Sequence, residues 1–244
     1  MAAPPPPSLP TPEHALAAAI AAYNAGQADA AQQICQQILH LHPAEPAAHQ
    51  LLALIKLQTG DLDAAHSHVQ RSLQARAQHA PTLLLAGKIA RAHNDLAAAT
   101  AYLALACKLN PAHPESAYLL GLSLCEQGQN TAALPVLQSL VQQHPQHAAA
   151  WFQLGVARQD LGDMAAAVAA FQTTLQLQPG YVEAAVNLGI ALQEGGDLPA
   201  AMAAYGQAYR LRPDTFGRIA NALAASPHGA LWLDLDAVKK LLAG

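Results

Sequence analysis

Glycine falls on a fixed grid in this chain. Gly26, Gly60, Gly128, Gly162 and Gly196 are spaced by 34 residues or a multiple of it, and Asn94 fills the one gap. Gly is the residue that enters left-handed backbone without steric cost, and Asn is the next most tolerant, so the grid predicts six helix ends. Ala31, Ala65, Ala99, Ala133, Ala167 and Ala201 keep the same period, as expected where a helix crossing admits only a methyl group. Pro43, Pro111, Pro145, Pro179 and Pro213, with Ala77 in the sixth place, mark where one helix must stop before the next begins. Asp61, Asp95, Asp163 and Asp197 directly follow the turn residue, where a side-chain oxygen can accept a hydrogen bond from the next helix's free N–H groups. Each unit therefore reads as a helix, a tight turn and a second helix.

Composition supports close-packed helices over a sheet. The chain has 58 Ala and is 5% aromatic, so strand-forming residues are sparse and small residues abound. Twelve Lys and Arg against sixteen Asp and Glu give a net charge of -4, and without a basic face nucleic acid is excluded as an expected partner. Cys35, Cys107 and Cys125 are odd in number and form no C-x-x-C pair, which points to a reducing compartment. The opening MAAPPPPSLPTPE lacks the basic and apolar regions of a signal peptide, and no apolar run approaches the roughly 18 residues of a membrane span. A cytoplasmic protein is the expectation.

The fifth unit, AAAWFQLGVARQDLGD onward, carries Trp151, Leu154, Gly155, Gly162, Ala167, Phe171 and Pro179 in register. This resembles the tetratricopeptide repeat, a family of 34-residue helical hairpins, over residues 12–215. Arg158 departs from the pattern where the family favours Tyr. The sixth unit matches through Leu188, Gly189, Ala201, Tyr205 and Pro213. Units one and two are weaker: Ala19 and Ala53 stand where Gly is usual, Cys35 and Val69 where an aromatic is usual, and His49 in place of Trp. The resemblance implies an all-α, right-handed α-solenoid of about six hairpins. Residues 1–11 read as a Pro-rich flexible arm. Residues 216–244 read as a capping helix and a short terminal helix with Asp234 as its cap, covering the last apolar face. Pro199 sits harmlessly in a first turn, whereas Pro135 lies deeper and should cost its helix one backbone bond and bend it.

Catalytic chemistry is not expected. No phosphate loop, nucleophile elbow or H-E-x-x-H helix occurs in the sequence. His40 and His42 flank a helix end, and His66 and His68, two apart on a helix, point about 200° away from each other, so no metal site is expected. Cys125 reads as a small hydrophobe. No cofactor follows, and the resemblance implies a non-enzymatic scaffold that binds a peptide or helix of a partner protein. The alternative is a recruiting arm of an enzyme complex, because units five and six are similar to those preceding glycosyltransferase domains. Oligomeric state is left open.

In this family the fifth and ninth positions of each first helix line the concave groove. Carried onto this chain, the fifth positions are Leu16, Gln50, Leu84, Tyr118, Phe152 and Val186, and the ninth are Ile20, Leu54, Lys88, Leu122, Val156 and Ile190. The candidate groove is concentrated in units four to six: Tyr118, Leu122, Phe152, Gln153, Val156, Val186, Asn187 and Ile190, with Lys88 and Arg91 from unit three. The competing reading is that Leu122, Val156 and Ile190 merely pack between helices. Lys88 and Arg91 make only part of the family's carboxylate clamp, because Leu16, Ile20 and Leu54 occupy places where it needs polar groups; solvation or one acidic side chain of the ligand is their expected role. At the thirteenth positions Glu126, Asp160 and Glu194 repeat every 34 residues as an acidic rail, which Glu115 and Glu183 extend, suited to a ligand with basic flanks or serving only as a solvated edge.

Overall fold

The computed structural model describes residues 11–225 and 235–243, and these form helices with no strand among them. Twelve helices make the six predicted hairpins: α1 (Pro12–Asn24) with α2 (Ala28–Leu41), α3 (Pro46–Gln58) with α4 (Leu62–Ala75), α5 (Ala80–Ala92) with α6 (Leu96–Leu109), α7 (Pro114–Glu126) with α8 (Asn130–Gln143), α9 (Ala148–Asp160) with α10 (Met164–Leu177), and α11 (Val182–Glu194) with α12 (Leu198–Leu211). A 3₁₀ turn over Pro213–Thr215 leads into α13 (Phe216–Ala225), and α14 (Leu235–Ala243) follows. Two compact units divide the chain, residues 1–116 and 117–244. Residues 1–10 of the Pro-rich arm, the turn at 227–229 and the Asp234 cap lie outside the described residues.

The turns follow the grid. Gly26, Gly60, Gly128, Gly162 and Gly196 have φ between 70° and 87°, and Asn94, the substitute, has φ 60°. At each turn the N–H that follows the left-handed residue reaches back to the preceding helix in the closing bond of a Schellman motif, as from Asp163 N to Arg158 O at 2.9 Å. Asp61, Asp95, Asp163 and Asp197 accept from the backbone N–H three residues on. Gln27 and Gln129 hold the same place without a side-chain cap bond. Their backbone already has the capping conformation, so Gln27→Asp should raise unfolding stability by about 1 kcal/mol, read as a higher urea midpoint at unchanged slope.

The second helix of each hairpin ends two residues before the proline of the grid, and α4 does so before Ala77 as well. Each second helix stops on an extended residue, with φ between -152° and -129°, and α4 does so without a proline, so proline forbids extension but is not needed to end the helix. Pro135 leaves α8 unbroken at 14 residues, the length of α2, α4, α6, α10 and α12. The bond it forgoes is the one to the carbonyl of Thr131, an exposed residue.

Within a hairpin the two helices cross at one close contact. A Cβ added at Gly155 would stand 2.5 Å from Phe171, one at Gly189 closer still to Tyr205, and ones at Gly87 and Gly121 2.6 and 2.5 Å from Leu103 and Leu137. In the first two hairpins the buried pairs are Ala19 with Cys35 and Ala53 with Val69. A methyl on one helix is thus matched by a smaller side chain on the other, so the departures seen in sequence are compensating exchanges of volume. The six grid alanines, from Ala31 to Ala201, are all fully buried.

The second unit ends on α13, in contact with α11, and α14, packed on α12. Val186, Tyr205, Ile219, Leu223, Val238 and Leu242 make one buried cluster there. A polar chain crosses it: Tyr205 Oη donates to Gln193 Oε1 at 2.9 Å, and Gln193 Nε2 donates to the carbonyl of Ala222 at 2.8 Å.

Candidate functional site

In the second unit the inner positions of α7 and α9 carry an aromatic series. Tyr118 lies 5.1 Å, ring to ring, from His147, which in turn caps α9 by accepting from Ala150 N at 3.1 Å. Phe152 stacks on Tyr181 at 4.9 Å and leans on Phe171 at 5.8 Å. Each groove ring is thus braced by the residue just before the next first helix, which leaves one face half-buried and rotationally fixed. Burial raises the Tyr181 phenol pKa above its ordinary value, with Tyr118 and Glu183 adding to the rise, so its ring is neutral at physiological pH. Sequence reasoning missed Tyr181 and His147. The signal was the 34-residue series Thr11, Glu45, His79, His113, His147 and Tyr181, one place ahead of the positions considered.

Leu122, Gln153 and Val156 are half-buried beside these rings, and Phe152 and Val156 also pack on the cluster around Phe171 and Leu188. The sixth hairpin is different. Val186 is fully buried with Ile219 and Leu223 of α13, which corrects its assignment as a groove residue. The nitrogen Nη2 of Arg218 on α13 donates to Asn187 Oδ1 at 3.4 Å, and Ile190 packs against the same terminal cluster. Helix α13 therefore takes over the inner face of α11, a contact that periodicity within residues 12–215 does not reveal.

Among the predicted carboxylates, Asp160 and Glu194 are exposed, and Asp160 Oδ2 accepts from Asn130 Nδ2 at 3.1 Å. Glu126 is exposed as well. Between residues 117 and 200 six carboxylates face a single guanidinium, Arg158, whose Nη1 donates to the carbonyl of Ala166. Glu183 does not extend the rail. It is paired with Arg212, whose hydrogen bond is the main cause of the lowered pKa of its carboxyl. The Cys125 thiol is pushed up to about 11 by burial, with Asp160 and Glu126 adding to the rise, and it remains a protonated apolar side chain.

The first unit holds a cavity of about 380 Å³ between α1, α3 and α5, lined by Ile20, Tyr23, Gln50, Leu54, Leu84 and Lys88 among others. The apolar inner face, which the sequence concentrates in units four to six, thus extends to the first three hairpins as well. Tyr23, at a twelfth position, was missed because the apolar lining was carried through all six units at the fifth and ninth positions alone. Lys88 has an acid partner within the chain: its Nζ lies 2.6 Å from Glu115 Oε1. That pair replaces both the solvated or ligand-bound role expected of Lys88 and the place of Glu115 in the rail. Arg91 is half-buried on the same helix. No group of three His, Cys, Asp or Glu among the described residues is arranged to hold a metal ion, and no described helix is long and apolar enough to cross a membrane.

Tetratricopeptide repeat family models match residues 22–89, 78–148, 118–181 and 152–215. Among solved structures the chain is similar to YrrB, described as a TPR protein with an unusual peptide-binding site, at 20% identity and TM-score 0.70, over 78% of this chain and 96% of that one. It is similar to MamA at 23% identity and TM-score 0.66, over 70% and 93%. The MamA segment from residue 41 onward of Desulfovibrio magneticus RS-1 aligns at 21% identity and TM-score 0.66, over 69% and 96%. No curated protein matches the sequence.

Proposed function

The chain belongs to the tetratricopeptide repeat family, and from that premise we propose that it is a non-enzymatic scaffold that seats an apolar peptide or helix of a partner protein on the inner face of its second unit. The observation that carries this reading is the braced pair Tyr118 and Phe152, two large rings at equivalent positions of consecutive repeats, each with its orientation fixed by a neighbouring ring. Rings held in this way lose little entropy on binding and serve as anchors. Leu122 and Val156, one turn further along, accept the smaller apolar groups of the same ligand. YrrB, whose fold this chain shares, is a peptide-binding relative by its description. The three unpaired cysteines agree with a reducing, cytoplasmic setting.

Glu126, Asp160 and Glu194 select the charge of the ligand's flanks. With Val186 buried and Asn187 held by Arg218, the ligand lies over α7 and α9, and Lys or Arg beside its apolar anchors meets the carboxylates at the ends of those helices. Each exposed pair contributes only about 0.2–1 kcal/mol, so the rail governs association rate and partner choice more than affinity. The test is affinity capture with crosslinking, followed by association kinetics of the captured segment with the variant Glu126→Gln, Asp160→Asn, Glu194→Gln. Asn at position 160 keeps an acceptor for Asn130. Slower association and a flatter salt dependence are expected; an unchanged on-rate and salt slope would reduce the rail to a solvated edge, and crosslinks confined to the second helices of the hairpins would move the site off the inner face.

A further inference from the structure

His49 is buried in the hairpin of α3 and α4, where Trp is usual in this repeat. Its Nε2 lies 2.9 Å from the carbonyl of Pro43, as the indole nitrogen of Trp151 lies 2.9 Å from the carbonyl of Pro145 in the fifth repeat. A carbonyl only accepts, so His49 donates from Nε2, and in its neutral form its Nδ1 bears a lone pair. That Nδ1 is 3.0 Å from Nδ1 of His68 on α4, and the only neutral arrangement that satisfies both rings has His68 donating. A proton added to the pair goes to Nε2 of His68 and leaves the bond intact. A second proton would have to go to Nδ1 of His49, where it would meet the N–H of His68 head on. The unfolded hairpin has no such limit.

We propose that this shared hydrogen bond makes the second repeat a proton-operated switch: the α3–α4 hairpin holds while its two imidazoles carry at most one proton and loosens when mild acid supplies two. The surroundings oppose the first proton as well, the one that His68 takes. The His68 pKa is lowered by burial first, then by His49, Arg71 and Lys56, while Asp61, itself 3.7 Å from Lys56, opposes them. A histidine whose folded pKa is depressed stabilises the fold above the ordinary imidazole range, and that stability is lost as pH falls through about 6.5. Because α3 also supplies Gln50, Leu51 and Leu54 to the cavity of the first unit, loosening this hairpin dismantles that cavity.

The test is hydrogen–deuterium exchange on the full chain between pH 7.5 and 5.0, corrected for the chemical exchange rate. One imidazole barred from protonation at pH 5.0 corresponds to about a 30-fold rise in the opening equilibrium, expected in α3 and α4 and absent from α9 and α10. The double variant His49→Trp, His68→Ala transplants the pair that repeat five carries as Trp151 and Ala170 and should abolish the rise while leaving His66, His79 and His93 in place. Persistence of the rise in that variant, or an equal rise in α9 and α10, overturns the proposal. Should the variant not fold, imidazole nitrogen NMR of the natural chain decides: the native signals should show no more than one proton taken up by the two rings, and two taken up with the native signals intact would overturn the switch.

Discussion

Truncating Phe171 to Ala should lower the unfolding free energy by about 3–5 kcal/mol, and adding one methyl at Gly155, opposite it, should lower it by about 1–3 kcal/mol. The second loss runs against local preference, since Ala favours a helix interior over Gly by about 1 kcal/mol. Tertiary packing wins because the new Cβ would sit 2.5 Å from a ring that is itself fully buried and has nowhere to move. Matched volumes should also be reciprocal. Gly155→Ala combined with Phe171→Val copies the pair Ala53 and Val69 of the second repeat, so the double variant should be more stable than Phe171→Val alone. Urea unfolding of the natural chain, the two single variants and the double variant measures the coupling directly. A methyl at position 155 that costs as much in the Phe171→Val background as beside the natural Phe171 would show that the crossing is not where the volume is matched.

Replacing Tyr118 and Phe152 together by Ala should weaken binding of the captured partner segment by at least about 30-fold, the loss of one strong anchor or two moderate ones. The two substitutions differ in what else they disturb. Tyr118 meets the ring of His147, whose cap on α9 is a separate bond, whereas Phe152 leans on Phe171 and Tyr181 in the core of the unit. Single variants separate the effects: Tyr118→Ala should reduce binding with little change in urea midpoint, and Phe152→Ala should reduce both. Retained affinity in the double variant, with helical circular dichroism unchanged, would place the ligand elsewhere.

The hairpins were legible because their causes are local. A left-handed Asn94, a carboxylate three residues before an N–H at Asp61, and a helix stopped short of Pro179 each act within one turn of chain. The site was legible only in outline. Tyr118 and Phe152 could be placed on an inner face by counting, yet Tyr181 and His147 brace them from cap positions that a helix-face count skips, and Tyr23 lies on the counted face one turn beyond the two positions followed. Lys88 and Glu115 looked like ligands for a partner because they stand far apart in the chain and their pairing depends on how far two flexible side chains reach.

The sequence by itself therefore determined the period, the six turns and the buried alanine and glycine positions, since backbone sterics and capping act over a few residues and repeat with them. Tertiary structure decided which inner positions remain open. Helix α13 closes over Val186 and engages Asn187, Arg212 takes Glu183 out of the acidic rail, and His49 finds His68 where another repeat has Trp against Ala. These outcomes rest on contacts between elements distant in sequence. Nothing in a residue's own turn marks Val186, a fifth position, to be sealed beneath a helix while Val156, a ninth position, stays half-buried, for both read as inner-face positions.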